Sequence, residues 1–362
     1  MRTNTLLAAD VGATNTRIRL SSLSSESGVE TLAETSVKTT GAAEIKEVIS
    51  TFTRQHVTDS AILASVLGLP GKVSSDCQSC AISFFDPHNY VSFRDLFQRL
   101  NIRQGVLVND LECGIAGLPN RADPRLKLLS GEPSLFEKPP QGQERRLVLG
   151  MPGTGLGIGL GTSSGSSVAT TIPSEGGHTF AAIDSRDELE LLITTAVLEE
   201  KGENLAGAIP TYQDFLRGGA IPIAFRTLLG QRGTPSTVAT AHKALESYPP
   251  GEQPQAIASW ALSRQDPIGH HARDTFTVYG RFLGRFLQSF ALSFLPNEVF
   301  LGGNIAIATH SLFKESFTSA FCHHPIHSTF LKALPVQVAL IPTLNLDGAT
   351  RAAEKLVLGQ AE

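Results

Sequence analysis

The sequence predicts an α/β chain built from two halves, and three stretches predict it. Leu6-Leu7-Ala8-Ala9-Asp10 is an apolar run that ends in a carboxylate and turns back through Gly12-Ala13-Thr14-Asn15 into Arg17-Ile18-Arg19-Leu20. Arg146–Leu149 runs into Gly150-Met151-Pro152-Gly153-Thr154-Gly155-Leu156-Gly157 and repeats that strand–turn–strand pattern. Between them, Gly105-Val106-Leu107-Val108-Asn109-Asp110 reads as a buried strand that ends in a polar pair before a helical segment. Buried strands that alternate with helices mark an α/β sheet, whose ligands sit at the carboxyl ends of the strands.

The bulk composition limits the function. A chain of 362 residues is long enough for two domains and a sizeable core. It is 41% hydrophobic and 18% charged with a net charge of −4, so no electrostatic footprint for nucleic acid or an anionic membrane is present. Its apolar runs are too short to span a bilayer, and no basic segment followed by a long apolar stretch opens the chain. Four cysteines argue against a disulfide scaffold and fit a reducing cytoplasm.

The first hairpin, residues 6–20, has Asp10 at its mouth. Gly12, Thr14 and Asn15 offer unhindered N–H groups and short polar side chains that suit a phosphate. A carboxylate repels phosphate unless a cation stands between them, so Asp10 suggests Mg²⁺ held through water. Residues 27–38 read as a third strand and Ala42–His56 as a helix, with Ile45, Val48, Ile49 and Phe52 on one face. Ala61–Leu69 is a buried strand stopped by a turn, and Val91–Leu100 a short helix with Ser92 as its cap. Asp110 reads both as the N-cap of the helix Leu111–Leu118 and as a ligand group at a strand end, and the two roles are compatible.

Pro119–Glu144 reads as an irregular excursion rich in Pro, Gly and charge. The glycines after Leu149 invite a G-x-G-x-x-G reading, but they alternate through an apolar stretch, a dinucleotide site needs a helix to open there, and Thr162–Thr171 has no helical period. A second phosphate turn at Gly153, Thr154 and Gly155 fits better. Two such turns suggest two half-domains gripping one polyphosphate. In Glu175-Gly176-Gly177-His178, two glycines let flanking polar side chains reach one ligand, although a polar surface turn has the same composition. Helices are expected at Asp187–Lys201, across Tyr212–Leu229 with a break at Gly218-Gly219, and twice within 235–265. The longest helix, Asp274–Phe294, carries a core stripe of Phe276, Tyr279, Phe282, Leu283, Phe286, Leu287 and Phe290. A strand from Asn297 runs into Gly302-Gly303, where close approach of a flat ligand such as a purine is possible. Ile305–Ala320 is helical, Val336–Ile341 is a strand, and the last helix begins near Asp347. Cys77-Gln78-Ser79-Cys80 is a lone C-x-x-C, Cys322–His327 reads as an exposed loop, and His270-His271 as surface. No internal repeat is visible beyond the two hairpins.

In this order and at these spacings, Asp10–Arg17, Asn109-Asp110, Gly153–Gly157, Glu175–His178 and Leu301–Asn304 resemble the bacterial-type glucokinases of the actin-like ATPase superfamily of sugar kinases. The resemblance runs from about residue 6 to 355. It implies a two-lobed actin-like ATPase (ribonuclease H-like) fold, with small and large α/β domains around a cleft. The small domain would be residues 1–110, completed by the C-terminal helix 346–362, and the large domain 111–345. It further implies ATP-dependent phosphorylation of glucose at its 6-hydroxyl with Asp110 as general base. Asn109, Asp110, Glu175 and His178 would hold the sugar. Asp10, Gly12, Ala13, Thr14, Asn15 and Arg17, with Gly153, Thr154 and Gly155, would wrap the phosphates of ATP, with Mg²⁺ positioned by Asp10 through water. Gly302 and Gly303 would lie near adenosine. A homodimer is common in that family. Three positions depart from its pattern. Ala13 replaces a glycine of the first turn, Gln213 stands where the family has a sugar-binding Glu, and in the segment that holds a sugar-binding Asn in relatives Asp86 or Asn89 could serve. These departures bear on which hexose is taken.

Overall fold

The computed structural model describes residues 4–24, 28–57, 61–132, 144–163, 170–202 and 207–359. Its first sheet is built from β1 (Asn4–Val11), β2 (Asn15–Ser24), β3 (Gly28–Lys38), β4 (Ile62–Leu69) and a later strand, Ile102–Asn109. Helix α1 (Ala42–His56) links β3 to β4. A small antiparallel sheet of β5 (Gly71–Val73), β6 (Ser79–Ile82) and β7 (Val91–Ser92) follows, then α2 (Arg94–Arg99), β8 (Ile102–Asn109) and α3 (Asp110–Gly117). The order across the sheet is β3-β2-β1-β4-β8, with β2 and β3 antiparallel and β4 and β8 parallel to β1.

The second sheet comprises β9 (Leu126–Ser130), β10 (Arg145–Pro152), β11 (Leu156–Ser163), β12 (Thr170–Ile172), β13 (Glu298–Leu301) and β14 (Val336–Ala339), in the order β12-β11-β10-β13-β14-β9. Its first five positions repeat the first sheet strand for strand and sense for sense. The repeat therefore extends well beyond the two hairpins seen in the sequence. Side chains have diverged while the pairing scheme has not, so only the topology displays it.

Helices fill the long connection from β12 to β13: α4 (Glu188–Glu200), α5 (Tyr212–Leu216), α6 (Ala220–Arg232), α7 (Pro235–Glu246), α8 (Gln253–Ser263) and α9 (Pro267–Phe294). Helix α9 buries Phe276, Tyr279, Phe282, Phe286 and Leu287 in the core of this half. It starts seven residues before the expected Asp274, because Asp266 caps it by accepting from the Gly269 N–H at 3.0 Å and Pro267 follows at the first helical position. That extension puts His271 on the inward face, one turn before Thr275, so His271 is buried while His270 is exposed. The surface reading of His271 is thus corrected. Two further expectations change. The excursion after Pro119 contains β9, whose leucines pair it to β14, while residues 133–143 lie outside the described residues. Val91–Leu100 divides into β7 and α2, with Phe93 at the cap position instead of Ser92.

After β13 come α10 (Gly303–Cys322), α11 (Ser328–Ala333) and, beyond β14, α12 (Leu344–Leu358). The two halves exchange helices. Leu346, Ala349 and Ala353 of α12 pack on Leu6, Ala8, Ala64 and Val66 of the first sheet. Ile115 of α3 packs instead on Leu147, Leu149 and Phe300 of the second. Where α3 and α12 cross, backbone meets backbone. A Cβ on Gly117 would overlap the Leu344 carbonyl oxygen, and one on Gly348 the Cys113 carbonyl oxygen. No helix among the described residues is long and apolar enough to cross a membrane.

Replacing Gly348 by Ala should cost about 3 kcal/mol or prevent folding, as overpacking at a rigid contact does. Gly230→Ala on α6, where the space is open, should stabilise by roughly 0.5–1 kcal/mol through helix propensity. Urea unfolding of the two variants beside the parent measures both.

Candidate active site

The carboxyl ends of the central parallel strands and the two hairpin turns converge on one cleft. The first turn is closed by Gly12 N–H donating to the Asn15 carbonyl at 2.9 Å. Ala13 carries a negative φ, so its methyl group is accommodated without backbone strain. Thr39, just beyond β3, holds the turn from behind. Its hydroxyl donates to the Gly12 carbonyl at 2.7 Å and its N–H to the Thr14 carbonyl at 3.0 Å. The second turn is closed by Gly153 N–H donating to the Gly155 carbonyl at 2.8 Å, and is held by the Gly218 N–H on the Gly153 carbonyl at 2.7 Å. The turns meet: the hydroxyls of Thr14 and Thr154 stand 3.0 Å apart. Gly302 donates to the Gly150 carbonyl at 2.9 Å, and Gly303, at φ +82°, leaves no room for a Cβ beside the Pro152 carbonyl. The double glycine thus abuts the strand that leads into the second turn. Thr39 and Gly218 escaped sequence reading because each lies far along the chain from the turn it braces.

Asp10 and Asp110 occupy the ends of β1 and β8, with β4 between them. One Asp10 oxygen takes a hydrogen bond from Asn345 Nδ2 at 3.3 Å; the other faces Arg17 Nη1 at 3.5 Å. Arg17 also donates to the Pro342 carbonyl at 2.9 Å, so both partners of Asp10 are tied to the start of α12. Burial still raises the Asp10 pKa against the pull of Arg17 and Asn345. Nearby Asn345 Oδ1 is buried without a hydrogen-bond partner. A carboxylate whose burial is not fully offset by Arg17 and Asn345 fits a hydrated Mg²⁺, which keeps most of its waters.

Asn109 caps α3, its Oδ1 accepting from the Leu111 N–H at 2.9 Å, and its Nδ2 donates to the Gly71 carbonyl at 3.2 Å. The Asp110 pKa is pushed up to about 7, first by loss of water and then by the negative charges of Asp10 and Glu175, against the Leu111 N–H. A carboxyl poised near neutrality is suited to taking a proton.

Glu175 and His178 are exposed on either side of a buried pair of glycines. A Cβ on Gly176 would overlap Phe290 and Ile158, and one on Gly177 the Leu156 carbonyl oxygen. The pair therefore lies flat on β11, and Glu175 stands close enough for its charge to act on Asp110. Gln213 joins them through Oε1, which accepts from the Leu156 N–H at 3.2 Å. Asp86 and Asn89 are placed differently. Asn89 Nδ2 donates to Asp86 at 2.6 Å, and Asp86 also accepts from the N–H groups of His88 and Asn89, so the pair is engaged within its own loop. Asn345 is the site residue that sequence reading missed. The available signal was a polar residue between two leucines at the head of an otherwise amphipathic helix.

Comparison with known proteins gives a consistent picture. A family model described as Glucokinase matches residues 7–356. The glucokinase of Mesorhizobium japonicum is 27% identical over 347 residues, covering 95% of this chain and 89% of the relative. The structure of glucokinase from Balamuthia mandrillaris in complex with glucose superposes with a TM-score of 0.78 at 20% identity, covering 97% of this chain and 94% of that one. A ROK family glucokinase from Streptomyces griseus in complex with glucose and AMPPNP gives 0.64 at 18% identity, over 97% and 100%. These likenesses show the two-domain actin-like ATPase fold expected from the sequence.

The raised Asp110 pKa has a consequence for stability. The folded pKa of about 7 lies above the ordinary 3.8, so the charged carboxyl opposes folding increasingly as pH rises from about 4 to 7. The Asp110→Asn variant, free of ligands, should therefore melt higher than the parent, by roughly 2–4 °C at pH 8, with a smaller gain at pH 5. Calorimetric melts at the two pH values check the sign.

Proposed function

Because the chain belongs to the glucokinase family, we propose that it transfers the γ-phosphoryl group of ATP to the 6-hydroxyl of glucose, with Asp110 as general base. The observation that carries this reading is the position of Asp110: at the carboxyl end of β8, close enough to Asp10 and Glu175 to feel their charges, with a pKa pushed up to about 7. In this reading Asn109, Glu175 and His178 hold the sugar hydroxyls, and Asp110 accepts the proton of the hydroxyl whose oxygen attacks the γ-phosphorus. The ADP oxygen leaves as that bond forms. The N–H groups of Gly12–Asn15 and Gly153–Gly155 face the phosphate charge, with Arg17 beside the first turn, while Gly302-Gly303 give adenosine a close approach. Phosphoryl transfer asks the protein mainly for positioning and charge stabilisation. Mg²⁺, held by Asp10 through water, would supply charge that offsets the phosphates. The reading includes the division into a small lobe, 1–110 with the C-terminal helix, and a large lobe, 111–345. The exchange of α3 and α12 between the sheets supports it.

A second reading keeps the mechanism and changes the hexose. Gln213 spends its oxygen on the Leu156 N–H, and Asp86 and Asn89 are engaged with one another, so the three polar groups at which the chain departs from the family's sugar-binding pattern are already committed within the protein. ADP release with Mg-ATP across a panel of hexoses, with a no-sugar control, separates the readings. Glucose-selective turnover supports the first, and selectivity for another hexose the second. Sugar binding without turnover on any hexose overturns both.

The Asp110→Asn variant should lose roughly 10²–10⁴ in turnover while sugar affinity, measured by calorimetry, stays within a few-fold. Unchanged turnover would remove Asp110 from the mechanism. In the parent, kcat/KM for the sugar should fall as pH drops through about 7, because only the ionised carboxyl accepts a proton. A pH–rate profile from 5 to 9 reads this directly.

A further inference from the structure

Helix α5 is only five residues long, yet it is firmly held. Its buried Tyr212, Phe215 and Leu216 face the core of the second half, where Phe215 stacks on Phe282 of α9 with ring centres 4.2 Å apart. The Tyr279 hydroxyl donates to the Leu216 carbonyl at 3.1 Å. The Asp214 carboxylate accepts from the Thr211 N–H at 2.8 Å and meets Lys201 at 3.2 Å. A helix this short is not stable by itself, so these contacts are what give it one position. From that platform three bonds reach toward the site. The Tyr212 N–H donates to the Thr179 carbonyl at 3.0 Å, directly after the Glu175–His178 block. Gln213 Oε1 accepts from the Leu156 N–H at 3.2 Å, and the Gly218 N–H donates to the Gly153 carbonyl at 2.7 Å. The last two clasp the second phosphate turn, one just past its end and one at its start.

Leu156 needs such a partner. It is buried, β12 pairs only with Leu160–Thr162 of β11, and no described strand covers Leu156 on the side away from β10. A buried N–H left alone costs more than an ordinary hydrogen bond gains. A Cβ on Gly155 would come within 3.2 Å of Gln213 Oε1, so the amide also lies against the backbone of the turn itself. We propose that Gln213 is a positioning residue for the second phosphate turn. Its oxygen holds the Leu156 N–H and thereby keeps the N–H groups of Gly153–Gly155 aimed at phosphate. The position thus serves the nucleotide, where the family's pattern has a Glu for the sugar. Donors fixed in advance stabilise charge without the cost of ordering them at each binding event. A glutamate accepts the same bond, whereas an apolar side chain has nothing to accept it with. The proposal rests on the reading of Gly153–Gly155 as a turn that holds phosphate.

The test is titration calorimetry of ADP with Mg²⁺ and, separately, of the hexose turned over fastest. Both are titrated into the full chain carrying Gln213→Leu or Gln213→Glu, with Thr154→Pro as a control that removes an N–H of the turn itself. In the leucine variant, affinity for ADP should fall about tenfold, while sugar affinity stays within twofold of the parent. The glutamate variant keeps the acceptor, so it should recover most of the lost ADP affinity. Should the leucine variant not fold, Gln213→Met reads the same quantities. A loss of sugar affinity with ADP binding intact would make Gln213 a sugar ligand and overturn the proposal. So would unchanged ADP affinity, equal losses for both ligands, or a glutamate variant as weak as the leucine one. If Thr154→Pro itself keeps the parent's ADP affinity, the reading of the turn as a phosphate turn fails. If affinity drops there but survives in Gln213→Leu, only the role of Gln213 fails.

Discussion

The crossing of α3 and α12 is the contact on which the rest of the molecule depends. Each helix leaves one half of the chain and packs on the other, and they pass so closely at Gly117 and Gly348 that neither tolerates a methyl group. Both helices begin at the cleft. The first residue of α3 is Asp110 and the second of α12 is Asn345. One backbone contact therefore sets the spacing of the two carboxylates and of the amide that steadies one of them. A shift at the crossing moves all three together.

Those carboxylates set the electrostatic problem of the site. Asp10, Asp110 and Glu175 bring like charges to one partly dehydrated place, and the compensation within the protein is incomplete. Arg17 reaches Asp10 at 3.5 Å and with a single nitrogen. Such a shift in Asp110 outweighs the ~0.5–1 kcal/mol of an ordinary surface ion pair. The ligand-free cleft is thus held together by the packing around it, with its own charges working against the fold. The arrangement is at its least costly when substrates and cation bring their own charge and hydrogen bonds.

How much of this the sequence displays depends on range. The hairpins and the strand-to-helix step at Asn109-Asp110 are local patterns, legible from their neighbours in the chain, and the structure has both. The braces on the hairpin turns are not, because Thr39 and Gly218 act on residues 27 and 65 positions away. Asn345 acts across 335. The doubling of the sheet is likewise invisible, since it is written in strand pairing. The surface reading of His271 fails for a local reason: Asp266 caps the helix and starts it early enough to carry His271 inward.

The exchange of helices also orders events during synthesis. All five strands of the first sheet are synthesised once β8 is made, yet one face of that sheet, with Leu6, Ala8, Ala64 and Val66, is covered by α12 together with Cys113 of α3. At usual elongation rates the ribosome needs on the order of 10–50 s to travel from the end of α3 to the start of α12. Throughout that interval the nascent chain carries a formed but half-naked sheet. The face that later couples the two lobes is, in the growing polypeptide, a natural foothold for a chaperone and a hazard wherever translation stalls.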